Sequence, residues 1–138
     1  MSIDPKILNR RWIQAFNEHD WEGEDACRSA DYLAHLSGMS GPLDTNGWVG
    51  FIQAFHTAFP DAHITVEDDI SAGDIVASRW TLTGTHQGEF QGVPPTGRPI
   101  RVSGIDFSRV VDGRIAEHWA QFDLMALMQQ IGAVPATA

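Results

Sequence analysis

An aspartate stands where the last strand pattern of the chain meets its last helix pattern. Asp123 follows the β pattern of residues 114–122 and precedes the apolar helical run that begins at Leu124. A carboxylate in an apolar pocket has a raised pKa, so it can take a proton from a carbon next to a carbonyl and later return it. An aspartate before a helical run is also a preferred N-cap. The sequence leaves both roles open for Asp123, and the two can coexist.

Alternation along the last strand assigns further side chains to the face of Asp123. Residues 117, 119, 121 and 123 share one face, and residues 116, 118, 120 and 122 share the other. We therefore predict Glu117 and Gln121 as further polar groups of a pocket, with Glu117 as a second catalytic candidate. Trp119 is a platform for a flat substrate or else a core or interface residue. His118 then points away, towards the surface or a dimer interface, unless a β-bulge reverses the assignment.

A third catalytic candidate lies on an earlier strand. Arg79 precedes Trp80 in a segment suited to burial, and a buried arginine needs a carboxylate or a ligand anion as partner. A structural ion pair with Glu117 or Asp106 is the alternative to a role in catalysis.

The remaining candidates concern the pocket wall and mouth. His86 precedes one glycine-rich loop and His35 precedes another, so each is a candidate for the pocket or for a structural hydrogen bond. Aromatic residues at helical and strand spacing are first of all core. Where part of the core is a pocket wall, the candidates to shape a ligand are Phe16, Phe51, Phe55 and Trp80.

Composition limits the classes of function. The chain has 138 residues, 43% of them apolar, which suits one domain over residues 1–138. Its 18 acidic and 9 basic side chains give a net charge of −9, so nucleic acid and anionic membrane are not expected as partners. The only cysteine is Cys27, which excludes an internal disulfide and favours the cytoplasm. We expect no targeting segment, no membrane span, no metal and no cofactor.

The patterns predict helices first and an antiparallel meander afterwards. Asp4 caps a first helix that ends near residue 19, a possible second helix follows at residues 21–28, and Asp44 or Thr45 caps the helix that Pro60 closes. From residue 62 the period changes to two, with a hairpin turn at Asp112-Gly113. This order is typical of an α+β fold in which helices pack on one face of the sheet.

Several blocks in this order resemble one known family. They are Ala58-Phe59-Pro60-Asp61, Gly73-Asp74, residues 84–90 (GTHQGEF), residues 92–98 (GVPPTGR), residues 112–119 (DGRIAEHW), residues 123–125 (DLM) and residues 129–132 (QQIG). Together they resemble the SnoaL-like polyketide cyclase or ester cyclase group of the nuclear transport factor 2-like superfamily. The resemblance implies a cone-shaped α+β barrel, with N-terminal helices on a curved, mostly antiparallel sheet. It also implies a small hydrophobic ligand in the pocket and a homodimer formed through the sheet.

The resemblance implies an activity as well. Cyclases of this group close a ring by an intramolecular aldol step without metal or cofactor, using an aspartate at the end of the last strand that matches Asp123. A histidine on the preceding strand is also associated with their site, and residues 105–109 contain none. A limonene-type epoxide hydrolase, with Asp106, Arg79 and Asp123 as its polar groups, is one alternative. A non-catalytic ligand-binding or dimerisation module is the other.

Overall fold

Two consecutive helices open the fold, and each begins at an aspartate cap. In the computed structural model, which describes residues 3–135, helix α1 spans Pro5–Glu18 and helix α2 spans Trp21–Ala26. The carboxylate of Asp4 accepts a hydrogen bond from the Lys6 amide, and His19 ends α1 in the left-handed region at φ 56°. Such caps bind amides that have no partner inside the helix. The predicted first helix is confirmed.

Helix α3 brings aromatic side chains over the sheet. It spans Thr45–Ala58, and the Asp44 carboxylate accepts a hydrogen bond from the Gly47 amide at 2.9 Å. Its buried side includes Trp48 and Phe55. The last helix, α4, spans Leu124–Gln130.

Five strands form one sheet. They are β1 Arg28–Leu36, β2 His63–Ala72, β3 Ile75–Thr85, β4 Pro99–Val111 and β5 Arg114–Phe122, in the order β1-β5-β4-β3-β2. Strand β1 pairs parallel to β5, and the other pairs are antiparallel. Asp112 and Gly113 join β4 to β5 with φ of 51° and 75°, the backbone that a tight hairpin turn requires. The predicted hairpin is confirmed.

The α+β class and the curved sheet are as expected, but the sheet is not a closed barrel. Strands β1 and β2 stand at its two ends and do not pair with each other. The helices pack on one face, which we call the inner face, and the hydrophobic core lies between them. Large apolar side chains remain exposed on the opposite, outer face, among them Ile105, Phe107 and Trp119. Within residues 3–135, no helix has the length and apolar character needed to cross a membrane.

Candidate active site

An apolar cavity lies between the helices and the inner face of the sheet. Its volume is about 90 Å³. Seven of its lining side chains are large aromatics: Trp12, Phe16, Trp48, Phe51, Phe55, Trp80 and Phe122. Three ionisable side chains also line it, namely Glu24, Asp106 and His118. Flat apolar walls with few polar groups suit a planar hydrophobic ligand.

Asp106 and His118 form a buried pair on neighbouring strands. Asp106 Oδ2 lies 3.1 Å from His118 Nε2, and the two residues are 8% and 4% exposed. In the register of β4 and β5, His118 stands opposite Ser108 and Asp106 stands opposite Ala120. The two side chains are therefore diagonal neighbours on one face, a separation that long side chains bridge.

A chain of hydrogen bonds holds the Asp106 carboxylate from behind. Ser78 Oγ on β3 donates to Asp106 Oδ1, and Asn9 Nδ2 on α1 donates to Ser78 Oγ at 3.3 Å. Asn9 is 1% exposed and Ser78 is 3% exposed. A carboxylate buried at this depth needs such donors, because they replace the water that burial removes.

Tyr32 completes the network at the other ring nitrogen. Its hydroxyl lies 3.3 Å from His118 Nδ1, and burial raises the pKa of Tyr32 well above its usual range, so the phenol keeps its proton. The network is satisfied when Tyr32 donates to Nδ1 and the opposite nitrogen, Nε2, carries the ring proton and donates to Asp106. Both nitrogens of His118 are then occupied. Each oxygen of Asp106 keeps a lone pair, so the carboxylate is the group that can accept a proton from a ligand in the cavity.

Glu24 is a second buried carboxylate of the cavity. It is 3% exposed, and its Oε1 accepts from Trp48 Nε1 at 2.8 Å and lies 3.2 Å from Arg28 Nη1. Burial raises the pKa of Glu24, against the donors on Trp48 and Arg28, which lower it. Sequence analysis missed Glu24 because α2 is short and rich in acidic residues, a pattern that indicates a solvated helix.

Asp123 does not face the cavity. Its carboxylate accepts a hydrogen bond from the Ala126 amide at 2.9 Å as the N-cap of α4, and the residue is exposed. The expectation that it enters the pocket is wrong, because the chain has already left the inner face of β5 at this point. The N-cap interpretation is the one that the geometry shows.

The face assigned to the last strand is also wrong. Glu117 lies on the outer face, where its Oε2 contacts His35 Nε2 at 2.8 Å and its Oε1 accepts from Arg109 at 3.1 Å. His35 and Arg109 lower the pKa of Glu117 below its usual range. The Trp119 ring stacks on the His35 ring at a centroid distance of 5.2 Å. Gln121 is exposed, and its Oε1 accepts a hydrogen bond from the Ser37 hydroxyl. None of Glu117, His35, Trp119 and Gln121 lines the cavity.

A β-bulge explains the reversal. Val110 pairs with Ile115, but Arg109 pairs with Glu117, so one extra residue of β5 lies between the turn and the site. Because neighbouring residues of a strand face opposite sides, one extra residue moves every later side chain to the other face. His118 thereby joins Asp106 on the inner face.

Arg79 and His86 also lie outside the cavity. Arg79 is exposed and its guanidinium contacts Asp68 on β2, so the predicted partners Glu117 and Asp106 are wrong. Trp80, the next residue of β3, takes the inner face and lines the cavity. His86 is fully buried, and its Nδ1 accepts from the Thr96 amide at 3.2 Å, which is a structural role.

These positions do not bring together the polar groups of the epoxide hydrolase alternative. Asp106 is in the cavity, Arg79 is on the surface and Asp123 caps α4. Within residues 3–135 there is also no group of three or more histidine, cysteine, aspartate or glutamate side chains placed to hold a metal ion.

Comparison with known proteins places this geometry in a family. The family model for SnoaL-like polyketide cyclase matches residues 6–131. The chain belongs to this family. Aklanonic acid methyl ester cyclase DauD from Streptomyces sp. (strain C5) is 28% identical, with 94% of this chain and 83% of that protein covered. Nogalonic acid methyl ester cyclase from Streptomyces nogalater is 28% identical over 87% of this chain and 91% of that protein.

Two solved structures are similar to this fold. The crystal structure of IdmH from Streptomyces antibioticus, described as a candidate polyketide cyclase, is similar with a TM-score of 0.85 and 39% identity. The match covers 94% of this chain and 99% of that chain. AclR from Streptomyces galilaeus, described as a candidate hydroxylase, has a TM-score of 0.89 and 30% identity, with 97% and 84% covered.

An aspartate and a histidine line the cavity from neighbouring strands, in the opposite order to the one that the resemblance implies. The resemblance implies an aspartate on the last strand and a histidine on the strand before it. Here the histidine, His118, is on β5 and the aspartate, Asp106, is on β4. The two residue types meet in one cavity.

Proposed function

We propose that this SnoaL-like chain is a cofactor-independent acid/base enzyme of polyketide cyclase type. Its substrate is a small hydrophobic carbonyl or ester compound, and Asp106 is its proton acceptor. The observation that carries the proposal is the hydrogen-bonded pair of Asp106 and His118 inside an otherwise apolar cavity. Relatives named as methyl ester cyclases support it.

The proposed reaction is an intramolecular aldol-like ring closure. Asp106 takes a proton from the carbon next to a carbonyl group, which leaves an enolate. The enolate carbon attacks a second carbonyl of the same molecule, so one carbon–carbon bond forms and an alkoxide results. The proton on Asp106 then goes to the alkoxide, and the product is an isomer of the substrate.

The neighbours of Asp106 suit this cycle. His118 and Ser78 donate hydrogen bonds to the two oxygens of the carboxylate and hold it in place. The apolar walls exclude water, and electrostatic interactions are stronger where water is absent. The ring of His118 packs edge-to-face against Trp12 and Trp48, at ring-centroid distances of 5.0 and 5.5 Å. These contacts fix the orientation of the His118 ring.

The test uses a probe substrate that responds to any suitably placed general base, because the natural substrate is not identified. 5-Nitrobenzisoxazole is a planar aromatic carbon acid: a base removes its ring proton, the N–O bond breaks, and a coloured cyanophenolate forms. We expect Asp106→Asn to lower kcat/KM for this reaction by about 100-fold or more, the usual contribution of a positioned base.

Asp123→Asn is the matched control, since it makes the same change at an exposed helix cap. Its rate is expected to equal that of the unmodified protein. Equal activity of the Asp106→Asn variant and the unmodified protein would contradict the proposal and favour a non-catalytic binding module.

The proposal also covers the oligomeric state, location and domain organisation of the enzyme. We propose a homodimer formed through the outer face of the sheet, supported by the exposed side chains of Ile105 (58%), Phe107 (45%) and Trp119 (37%). A location in the cytoplasm is supported by Cys27, which is a free and buried thiol. We further propose that residues 1–138 act as one domain around one cavity.

A further inference from the structure

Gly104 lies in the middle of strand β4, two residues before Asp106 and on the same inner face. A glycine weakens the interior of a strand, because it has no side chain to pack. The backbone of Gly104 is not in the left-handed region that favours glycine. The backbone conformation therefore does not require a glycine here, and the reason lies in the space above its Cα.

The ring of Trp80 occupies that space. Trp80 stands opposite Gly104 in the register of β3 and β4. A Cβ atom at position 104 would lie 2.7 Å or less from Cζ2, Cη2 and Cζ3 of Trp80, whereas carbon atoms in contact are normally about 3.5–4.0 Å apart. A point so near to three consecutive ring atoms lies over the face of the ring, because a point in the ring plane is near to one or two of them only. The indole therefore lies with one face against β4.

The other side of the indole has no aromatic partner. Trp80 lines the cavity and is 7% exposed. Most large aromatic side chains of the lining contact another ring, namely Trp12 with Trp48, Phe51 with Phe55, and Phe16 with His56. No such ring contact within residues 3–135 involves Trp80. The side of Trp80 that lines the cavity is therefore available to a ligand.

The indole lies next to the proposed base. Gly104 and Asp106 are successive residues on the inner face of β4, about 7 Å apart along the strand. Phe122, which also lines the cavity, stands opposite Gly104 on the β5 side. A ligand that packs on Trp80 therefore has the Asp106 carboxylate beside it. A side chain at position 104 would move the indole off β4 and into the space that this ligand needs.

We propose that Gly104 is a specificity-determining residue of the cavity. Its missing side chain lets Trp80 lie against the sheet, and this sets the size of the largest ligand that fits beside Asp106. The cavity is small, about 90 Å³, so a displaced indole takes up a large part of it. The inference rests on the proposed function only in that the ligand occupies the same cavity.

The test compares two ketones that share an acetyl group and differ by one fused ring, acetophenone and 2-acetonaphthone. Their dissociation constants are measured by isothermal titration calorimetry with the full chain. We expect the unmodified protein to bind 2-acetonaphthone about 10-fold more tightly, because the second ring buries further apolar surface. Equal affinity of the unmodified protein for the two ketones would overturn the proposal.

Gly104→Ala is the decisive variant, because it adds the single atom that the Trp80 ring excludes. The displaced indole should block the larger ketone and spare the smaller one. The preference for 2-acetonaphthone is then expected to fall from about 10-fold to about 1-fold, mainly through weaker binding of the larger ketone. A folded Gly104→Ala protein that keeps the preference would overturn the proposal.

A second pair of variants decides the question even if Gly104→Ala does not fold. Trp80→Phe shortens the side chain, so that the ring no longer covers Gly104. Adding Gly104→Ala to Trp80→Phe should then change neither folding nor the ratio of the two dissociation constants, which makes the two substitutions non-additive. A double variant that loses its fold or its preference relative to Trp80→Phe would overturn the proposal, because position 104 would then act without Trp80.

Gly50→Ala is the matched control. It makes the same change at an exposed position of α3, where an added Cβ meets no atom within 4 Å, and it should keep the full preference. The outcome is also separable from that of the proposed function, because it is a ratio of affinities and needs no proton transfer. A preference that depends on position 104 stands even if Asp106 proves inactive, and proton transfer by Asp106 stands even if the preference is absent.

Discussion

At the scale of single residues, environment gives two aspartates of this chain opposite tasks. Asp106 is 8% exposed, accepts from Ser78 and His118, and faces an aromatic cavity. Asp123 is exposed and accepts from a backbone amide at the start of α4. Of the two aspartates, only Asp106 lines the cavity.

Asp123 should therefore affect stability and not activity. Asp123→Ala removes the oxygen that binds the Ala126 amide, which lowers the free energy of unfolding by about 0.5–2 kcal/mol. Urea denaturation measures this loss, and the rate with 5-nitrobenzisoxazole should be unchanged. A large loss of rate in a variant of nearly normal stability would return Asp123 to the list of catalytic candidates.

At the scale of elements, local signals were sufficient for helices and turns but not for the face of β5. The cap at Asp44 and the turn at Asp112-Gly113 depend on a few neighbouring residues, so the sequence predicts them. The bulge beside Arg109 decides which side chains of β5 lie on the inner face. The alternation of side chains along the strand is compatible with either assignment, so it does not predict the face. Nothing within residues 114–122 marks that extra residue.

The cavity itself depends on contacts between distant elements, which puts part of it out of reach of local patterns. Phe16, Phe51 and Phe55 were expected to shape a pocket, and they lie in its lining, because apolar helix stripes reliably turn inward. Predicting the contact between Asp106 and His118 requires the register of β4 and β5, which local sequence patterns do not give. Predicting that Glu24 is buried requires its contacts with Trp48 and Arg28, which lie on other elements of the fold.

Packing between helices also creates a histidine that is sensitive to acid. His56 on α3 contacts Phe16 and His19 of the α1 region at ring-centroid distances of 4.4 and 4.1 Å, and neither of its nitrogens has a hydrogen-bond partner within the described residues. Burial, and then the nearby His19, lowers the pKa of His56 from 6.5 to about 4. Between these two values the unfolded chain binds more protons than the folded chain, so stability falls as the pH falls.

His56→Phe should remove this contribution. The unmodified protein is expected to lose at most about 3 kcal/mol through His56 between pH 6.5 and pH 4, from about 1.4 kcal/mol for each pKa unit, and the variant should lose correspondingly less. Urea denaturation at several pH values measures both curves. His63→Gln, at an exposed histidine, is the control and should follow the unmodified protein. Parallel curves for His56→Phe and the unmodified protein would contradict the assignment.

At the scale of the whole molecule, the sheet separates the proposed catalytic site from the proposed dimer interface. Its inner face carries Asp106 and His118 in a cavity covered by helices. On its outer face, Trp119 stacks on His35 and packs edge-to-face against Phe107, with a ring-centroid distance of 5.9 Å to Phe107. Because side chains alternate along a strand, β5 supplies both faces with successive residues. A change on one face can therefore leave the other almost unaltered.

This division predicts the effect of Trp119→Glu. A charge on the outer face at this position would be desolvated if two sheets paired there, so the proposed homodimer should dissociate to a monomer. Light scattering after size-exclusion chromatography measures the mass, and the rate with 5-nitrobenzisoxazole should persist because Asp106 faces the other side. Ile7→Glu, at an exposed apolar residue of α1, is the control and should leave the mass unchanged. A dimer that survives Trp119→Glu but not Ile7→Glu would move the interface to the helical side, whereas a monomer in every variant would mean that the outer face has no partner copy.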